Sequence, residues 1–521
     1  MALEIQNLFE IKKKIENCDV SIFVDSGQSY SNFVKKIHIT QFRHIVDLEV
    51  GFSSPVTAIA GSNRSGKTSL LLLLACSHEK FMRLDAKSTA VGMREHTWAD
   101  VLSFTSHETV QSDYEYKMEW REGTKDRDGT GKRLHTSRAW SGLAKRSSDK
   151  NRTNAKIRKK EVRLIDLERL LPARAFSDYL FKKANGAQVL ALDVDIAKAF
   201  GYIFSTPVAS ISEAANHLNR RCFIINRNTA TYSTYNAASG EEAVIYILKD
   251  LIESPKNTLI LIEEIEAGIH PAVLRKLIDI VYMVSWRDKK QVIFTTHSPT
   301  ALSAVDGCSR RFIESNNGQW KCTPEISIQA AASKMDSISH PLIQLYCEDD
   351  LAQFLISQQL IDLSNTEPHI SRLINIVPSG PINEVKVDYE RHKKNFSHLR
   401  NKIGYCAVMD GDYAEDENYA YYMNNNDEYA GFIYPHDKPE KFLVRSYLSS
   451  HPNEELSSSL QYEDHHFLFE KMINLGLASD KKDARNRCYD VFKLSAEYQR
   501  HSDDIKQLVT RSLQHFSVIR D

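Results

Sequence analysis

Between Val34 and Val50 the chain reads VKKIHITQFRHIVDLEV, with apolar and polar positions alternating. A period of two belongs to half-buried strands, so two short strands are expected there. PVTAIA (55–60) is apolar at nearly every position, the pattern of a strand covered on both faces, and a Gly-rich turn follows at once. From Ser69 to Arg83, SLLLLLACSHEKFMR reads as one mostly apolar helix. Tyr, Phe and Val alternating with polar residues predict strands within 98–120. Helical patterns cover 162–172 and 190–219, followed by a strand (Cys222 to Asn226) and a helix from about Glu241 to Glu253. The apolar strand TLILI (258–262), a helix at 271–285 and the strand QVIFTT (291–296) complete the series. Strand–helix–strand alternation of this kind belongs to a parallel α/β sheet.

A break near 325–340 separates a second α/β series: LIQLYC (342–347), the helix LAQFLISQQLI, INIVP (374–378), a charged helix at 383–400 and IGYCAVM (403–409). Beyond about residue 446 the pattern is largely helical. The chain is thus expected to comprise an N-terminal extension (1–33), a large α/β domain (34–325), a smaller α/β domain (341–445) and a helical C-terminal region (446–521).

Composition narrows the class of protein. At one domain per ~150 residues, 521 residues suit two to four domains. With 42% hydrophobic and 26% charged residues, the chain has the make-up of a globular protein. Lys+Arg (67) and Asp+Glu (68) nearly cancel, which excludes a uniformly basic nucleic-acid coat and an acidic solvating protein. The balance hides segregation. Residues 121–163 carry 15 basic and 5 acidic residues, a local net of 15 − 5 = +10, whereas 410–428 holds seven acids and no Lys or Arg. No apolar run reaches the ~18–20 residues of a membrane span. The start lacks a signal-peptide pattern, and the eight cysteines contain no CxxC pair, so a cytoplasmic location is expected.

The turn after PVTAIA is Gly61-Ser62-Asn63-Arg64-Ser65-Gly66-Lys67-Thr68, a match to G-x-x-x-x-G-K-[ST] between a buried strand and an apolar helix. Glycines let backbone N–H groups turn inward on a phosphate at a helix N-terminus. Lys67 is expected to reach the β- and γ-phosphates of ATP and the Thr68 hydroxyl to ligate Mg²⁺. LILI-Glu263-Glu264 supplies an apolar strand ending in acids, Glu263 for the Mg²⁺ and Glu264 to polarise an attacking water. His270-Pro271 stands at a helix start just downstream, and His297 ends the strand QVIFTT, where a switch histidine can meet the γ-phosphate.

These ordered motifs resemble the ABC-type ATPases related to structural-maintenance and repair proteins, in the branch containing the OLD family. VKKIHITQFRHIVDLEVGFSSPVTAIAGSNRSGKT is similar to that branch's opening, LIEEIEAGIHP to its Walker B segment and FTTHSP to its switch region. The resemblance covers about 34–310 and implies a signature loop, for which Ala237-Ala238-Ser239-Gly240-Glu241-Glu242 has the right place. Ala238 stands where that family carries serine, Ser239 replaces a glycine, and Glu263 replaces an aspartate. Binding of ATP with slow turnover is therefore expected. The resemblance also implies an ATP-bridged dimer, with Ser239, Gly240 and Glu241 closing on nucleotide held by the other protomer.

In the smaller α/β series Glu348 ends one strand and Asp410-Gly411-Asp412 another; carboxylates converging at strand ends are what Mg²⁺ needs to activate water against a phosphodiester. With Ser379-Gly380 between them and Pro435…Glu440 after, the segment 341–445 resembles a Toprim domain such as OLD-family nucleases carry, though Asp349 and Ala352 depart from that pattern. The basic insert, with Trp120 and Trp140 for stacking, reads either as a DNA or RNA contact or as a solvated loop. His465-His466 beside Glu463-Asp464 reads as a surface helix end, with metal binding as the alternative.

The expected fold class is α/β: an ABC-type P-loop ATPase domain, a smaller Toprim-like α/β domain and a helical tail. The combination resembles the ATPase component of Septu and retron-linked antiphage systems. That likeness implies an oligomer controlling an HNH-type nuclease partner, with a reverse transcriptase and small DNA or RNA as further partners. The alternatives are an OLD-type enzyme whose own Toprim domain is a Mg²⁺-dependent nuclease, and a DNA-repair or chromosome-associated ATPase. The about 196 residues from Lys67 to Glu263 carry no sustained heptads, which argues against the last.

Overall fold

The computed structural model describes residues 7–16, 30, 32–84, 93–102, 112–123, 125–136, 139–143, 157–171, 189–215, 221–227, 229–237, 239–316, 318–335, 341–365, 370–399, 402–423 and 427–517. They form two compact units, Met1–Ala331 and Ala332–Ile519.

The N-terminal unit is built on an eight-stranded sheet. Its order is 319–324, 310–316, 56–60, 291–296, 259–262, 157–165, 78–84, 93–95. The six inner strands are mutually parallel, and both edge strands are antiparallel. A five-stranded antiparallel sheet (45–51, 33–42, 114–122, 125–133, 140–142) packs nearby. Between them lies the helix Lys67–Cys76, whose leucines from Leu70 to Leu74 are all buried. Its side chains share one core with Phe33, Ile37, Leu48, Tyr116 and Met118 of the smaller sheet and with Ile59, Val162, Leu261 and Ile293 of the larger. A helix that is apolar all round needs cover on every side, and the two sheets supply it.

Three local expectations change first. The helix from Ser69 stops at Cys76, where the Ser77 hydroxyl donates to the Leu73 carbonyl (2.6 Å), and His78–Leu84 is a strand. A buried apolar run does not by itself distinguish helix from strand. Within 98–120 a short helix, Trp98–Val101, precedes the strand Tyr114–Glu122. Within 190–219 the helix is confined to Val194–Phe204, and Ser210–Ala215 is a strand of a separate four-stranded antiparallel sheet.

The largest change concerns Ile157–Ile165, expected partly as basic insert and partly as helix. It is an inner strand pairing with Leu259–Ile262. Its IRKKEVRLI pattern hides the strand because Lys160, fully buried, donates to the Asn32 carbonyl at 3.0 Å. The N-terminal residues are also more than an extension. Lys12 of the helix Leu8–Glu16 pairs with Asp279 at 2.6 Å, and Tyr30 lies in the main core.

The C-terminal unit has a four-stranded, wholly parallel sheet in the order 374–378, 343–347, 404–409, 430–432. The helical region after 446 is part of the same compact unit as this sheet. Phe516 of the helix Ala496–Ser517 packs edge-on against Tyr405 of the strand Gly404–Met409, with ring centroids 5.0 Å apart. Among the described residues no helix is long and apolar enough to cross a membrane.

Candidate nucleotide and metal sites

The strand Val56–Ala60 delivers the loop Gly61–Thr68 at its C-terminal end. Gly66 sits at φ 83°, and a Cβ there would lie 2.5 Å from Ile45 Cδ1, so the turn into the helix accepts only glycine. Asn63 and Arg64 are exposed, with the Arg64 carbonyl 3.1 Å from His44 Nε2. Lys67, only 7% exposed, donates to the Gly61 carbonyl (2.8 Å), the Ser62 carbonyl (2.9 Å) and Ser65 Oγ (3.1 Å). Burial pushes its ammonium down to about 8, against the pull of Glu264, Glu266 and Glu263. An ammonium spanning a loop of inward-facing backbone is the arrangement that phosphate oxygens enter, so these residues fit ATP.

Thr68 Oγ1 donates to Glu263 Oε1. Glu263 stands at the end of Leu259–Ile262, where burial raises its carboxyl, the Thr68 hydrogen bond lowers it, and Asp166 and Glu264 raise it. A cavity of about 180 Å³ adjoins Thr68 and Glu263 and is also lined by Arg83, Asp100 and Asp166. A hydroxyl and a carboxylate meeting at a cavity fit a hydrated Mg²⁺. Glu264 adopts φ 43°, its N–H held by Thr295 Oγ1 at 2.9 Å. Its carboxylate lies 4.0 Å from His297 Nε2. The His297 ring is held below its ordinary range by burial and by the Lys67 charge.

Three residues outside the sequence expectations hold this centre. Arg169, 1% exposed, donates to the carbonyls of Asp166 (2.8 Å), Glu263 (2.8 Å) and Glu264 (2.5 Å). Asp166, at the tip of the misread strand, receives Arg83 and caps the following turn. Glu266 accepts from Thr296 Oγ1 (2.8 Å) and the His297 N–H (2.5 Å), joining the loop after Glu264 to the end of the strand Gln291–Thr296. Only Glu266 had a visible cue, its place in the LIEEIEAGIHP segment.

The helix Ser239–Glu253 begins at the expected signature position, and Ala238 lies outside the described residues. Glu241 accepts from Tyr232 OH (3.1 Å) and pairs with Arg227 (3.6 Å). Gly240 backs onto the loop after Glu264, since a Cβ there would stand 2.7 Å from the Gly268 carbonyl. His270 caps the helix Pro271–Asp288 by accepting from the Ala272 N–H at 3.3 Å.

The basic segment departs from a free cationic surface. Lys35 and Arg121 pair with Asp126, Arg127 with Glu122, Lys117 with Asp128 and Lys132 with Glu115. Trp140 is stacked on Trp98 (4.1 Å, 12°), and both Trp120 and Trp140 pack on the main core. Both indoles, partly buried, thus pack against the protein's own core. Residues 144–156, which carry Lys145, Arg146, Lys150, Arg152 and Lys156, lie outside the described residues.

In the C-terminal unit the ends of adjacent parallel strands bring Glu348 and Asp410 together. Glu348 Oε1 accepts the Asp410 N–H at 3.0 Å. Burial raises both carboxyls, helped by repulsion from Asp412 and Asp349 at Glu348 and from Glu348 at Asp410, and burial raises Asp412. Asp410 Oδ1 is buried without a hydrogen-bond partner, and a buried acceptor left open is a place for a cation. Glu348, Asp410 and Asp412 thus fit a Mg²⁺ by their all-oxygen donors. Asp349 has a different duty, capping Asp350–Ser364 by accepting from Leu351 and Ala352 N–H (both 2.9 Å).

Residues 56–303 match a family described as "AAA domain, putative AbiEii toxin, Type IV TA system". Among solved structures the chain is similar to the SMC head domain from Thermotoga maritima, at 12% identity over 56% of this chain and 98% of that one, with a TM-score of 0.33. It is also similar to the Pyrococcus yayanosii Smc head domain with a coiled coil and joint, at 10% identity over 57% and 98%, with a TM-score of 0.34. No curated relative matches by sequence. The family match and the strand–loop–helix around Lys67 make the N-terminal unit a P-loop ATPase domain.

Proposed function

We propose that the chain binds and slowly hydrolyses ATP as part of an antiviral defence system, that ATP bridges two copies or more, and that nucleotide state controls a partner nuclease of HNH type. The observation that carries the ATP-dependent part is the convergence of Lys67, Thr68, Glu263, Glu264 and His297 at one loop. In this scheme Lys67 holds phosphate, Thr68 and Glu263 hold Mg²⁺, Glu264 orients the attacking water and His297 reads the γ-phosphate. Ser239, Gly240 and Glu241 meet nucleotide from the second copy. The matched family's description names a toxin and a toxin–antitoxin system, which supports a defence role. A nuclease partner is tested by purifying the chain from its native host. Co-isolation of an HNH protein, released or restrained according to ATP, is expected; a chain isolated alone under all nucleotide conditions would overturn it.

The open Asp410 Oδ1 beside Glu348 supports a second function, a Toprim-like nuclease within the chain itself. Cleavage of DNA by the isolated protein in Mg²⁺, abolished by Glu348→Ala or Asp410→Ala, would favour it over control of a partner.

A further inference from the structure

The pair His465-His466 does not end in solvent alone. It lies on the short helix His465–Phe467, against Glu440 in the first turn of Pro439–Ser450. Donor atoms of Glu440, His465 and His466 all fall within 4.8 Å of one another. His466 Nδ1 is 3.6 Å from Glu440 Oε1, and the two imidazole centroids are 3.8 Å apart. Tetrahedral Zn²⁺ with bonds of ~2.0–2.1 Å spaces its ligands at roughly 3.3 Å, so small side-chain rotations close the set.

A second observation points the same way. Asp464 Oδ1 lies 3.1 Å from His465 Nδ1, while the same carboxylate accepts the His466 N–H at 3.1 Å. A carboxylate on one ring nitrogen fixes the tautomer and turns the other nitrogen outward as a ligand. Glu440 is only 8% exposed, and Asp349 and Asp410 lie within range of its charge. A cation bound there would relieve that repulsion. The neighbouring Lys438 lies 4.0 Å from Asp412, and its charge, with that of Lys441, also reaches His465.

We infer that Glu440, His465 and His466 form a site for a divalent transition metal, Zn²⁺ in the first instance, with Asp464 orienting His465. Two imidazoles and one carboxylate select Zn²⁺ over Mg²⁺, in contrast to the all-oxygen set of Glu348, Asp410 and Asp412. Three protein ligands leave one position open to water, the arrangement of a reactive rather than a purely structural zinc. The site stands whether or not the chain controls a partner nuclease.

The test uses the full-length chain without an affinity tag, dialysed against micromolar Zn²⁺ and then counted for metal. One Zn²⁺ per chain is expected, lost in the double variant His465→Ala/His466→Ala and weakened about tenfold or more in Asp464→Asn. Co²⁺ in place of Zn²⁺ should give the intense visible bands of a tetrahedral centre. Asp410→Asn should still retain one Zn²⁺ per chain and the tetrahedral Co²⁺ bands. His466 is exposed, so His466→Ala alone provides a folded variant in which affinity still falls. Absence of retained metal would overturn the site. So would unchanged stoichiometry in the double variant, or equal loss in Asp410→Asn, which would put the metal on the oxygen cluster.

Discussion

Lys67 carries the clearest prediction at the scale of a residue. Its amine is pushed down to about 8 from an ordinary 10.5 by burial, and bound phosphates would raise it again. ATP affinity should therefore be flat below about pH 8 and fall as pH rises beyond it, because the protonated amine is the binding form. Titrations of nucleotide between pH 7 and 9.5 would read this. Lys67→Ala should abolish measurable ATP binding at any of these pH values. Glu264→Gln should instead keep binding and reduce turnover at least tenfold, measured as phosphate release. Arg169 acts through others. Arg169→Met leaves the Glu263 carbonyl without its Arg169 donor, at a cost of about 1–3 kcal/mol, while the Glu264 carbonyl keeps the Ala267 N–H at 2.8 Å. The variant should unfold at lower denaturant and lose turnover more than ATP affinity.

At the scale of elements, Ile157–Ile165 shows why part of the fold was illegible. Its run of Lys and Arg matches a solvated insert by composition, yet it pairs in register with Leu259–Ile262 and brings Asp166 beside Glu263. Lys160 is the price of that position, since its buried amine is held down to about 7. The unfolded chain keeps the ordinary value near 10.5, so it binds more protons than the folded chain between about pH 7 and 10.5. Stability contributed at this residue therefore rises with pH across that window. Lys160→Met should remove that rise, seen as a difference between the two proteins in urea midpoints at pH 7 and pH 10. By contrast, Val56–Ala60, Leu259–Ile262 and Gln291–Thr296 were readable because an apolar run with a motif at its end admits one arrangement.

For the whole molecule, an ATP-bridged assembly predicts a mass change. Glu264→Gln with ATP and Mg²⁺ should sediment as two copies or more, and Lys67→Ala should remain at the mass of its nucleotide-free form. Each of the two units has its own core, and each closes a set of polar residues at the C-terminal ends of parallel strands.

Sequence alone determined the G-x-x-x-x-G-K-T turn, the acid pair after Leu259–Ile262, the histidine that follows Gln291–Thr296 and the parallel α/β class. These follow from local spacing, where residues close in the chain act together. Tertiary structure decided what spacing cannot encode: that Arg169 and Asp166 support Glu263, that Trp120 and Trp140 pack on the core, and that Glu440 meets His465 and His466. Those contacts join residues about 25 to 95 positions apart or more, and only chain packing brings such positions within hydrogen-bonding or ligand distance.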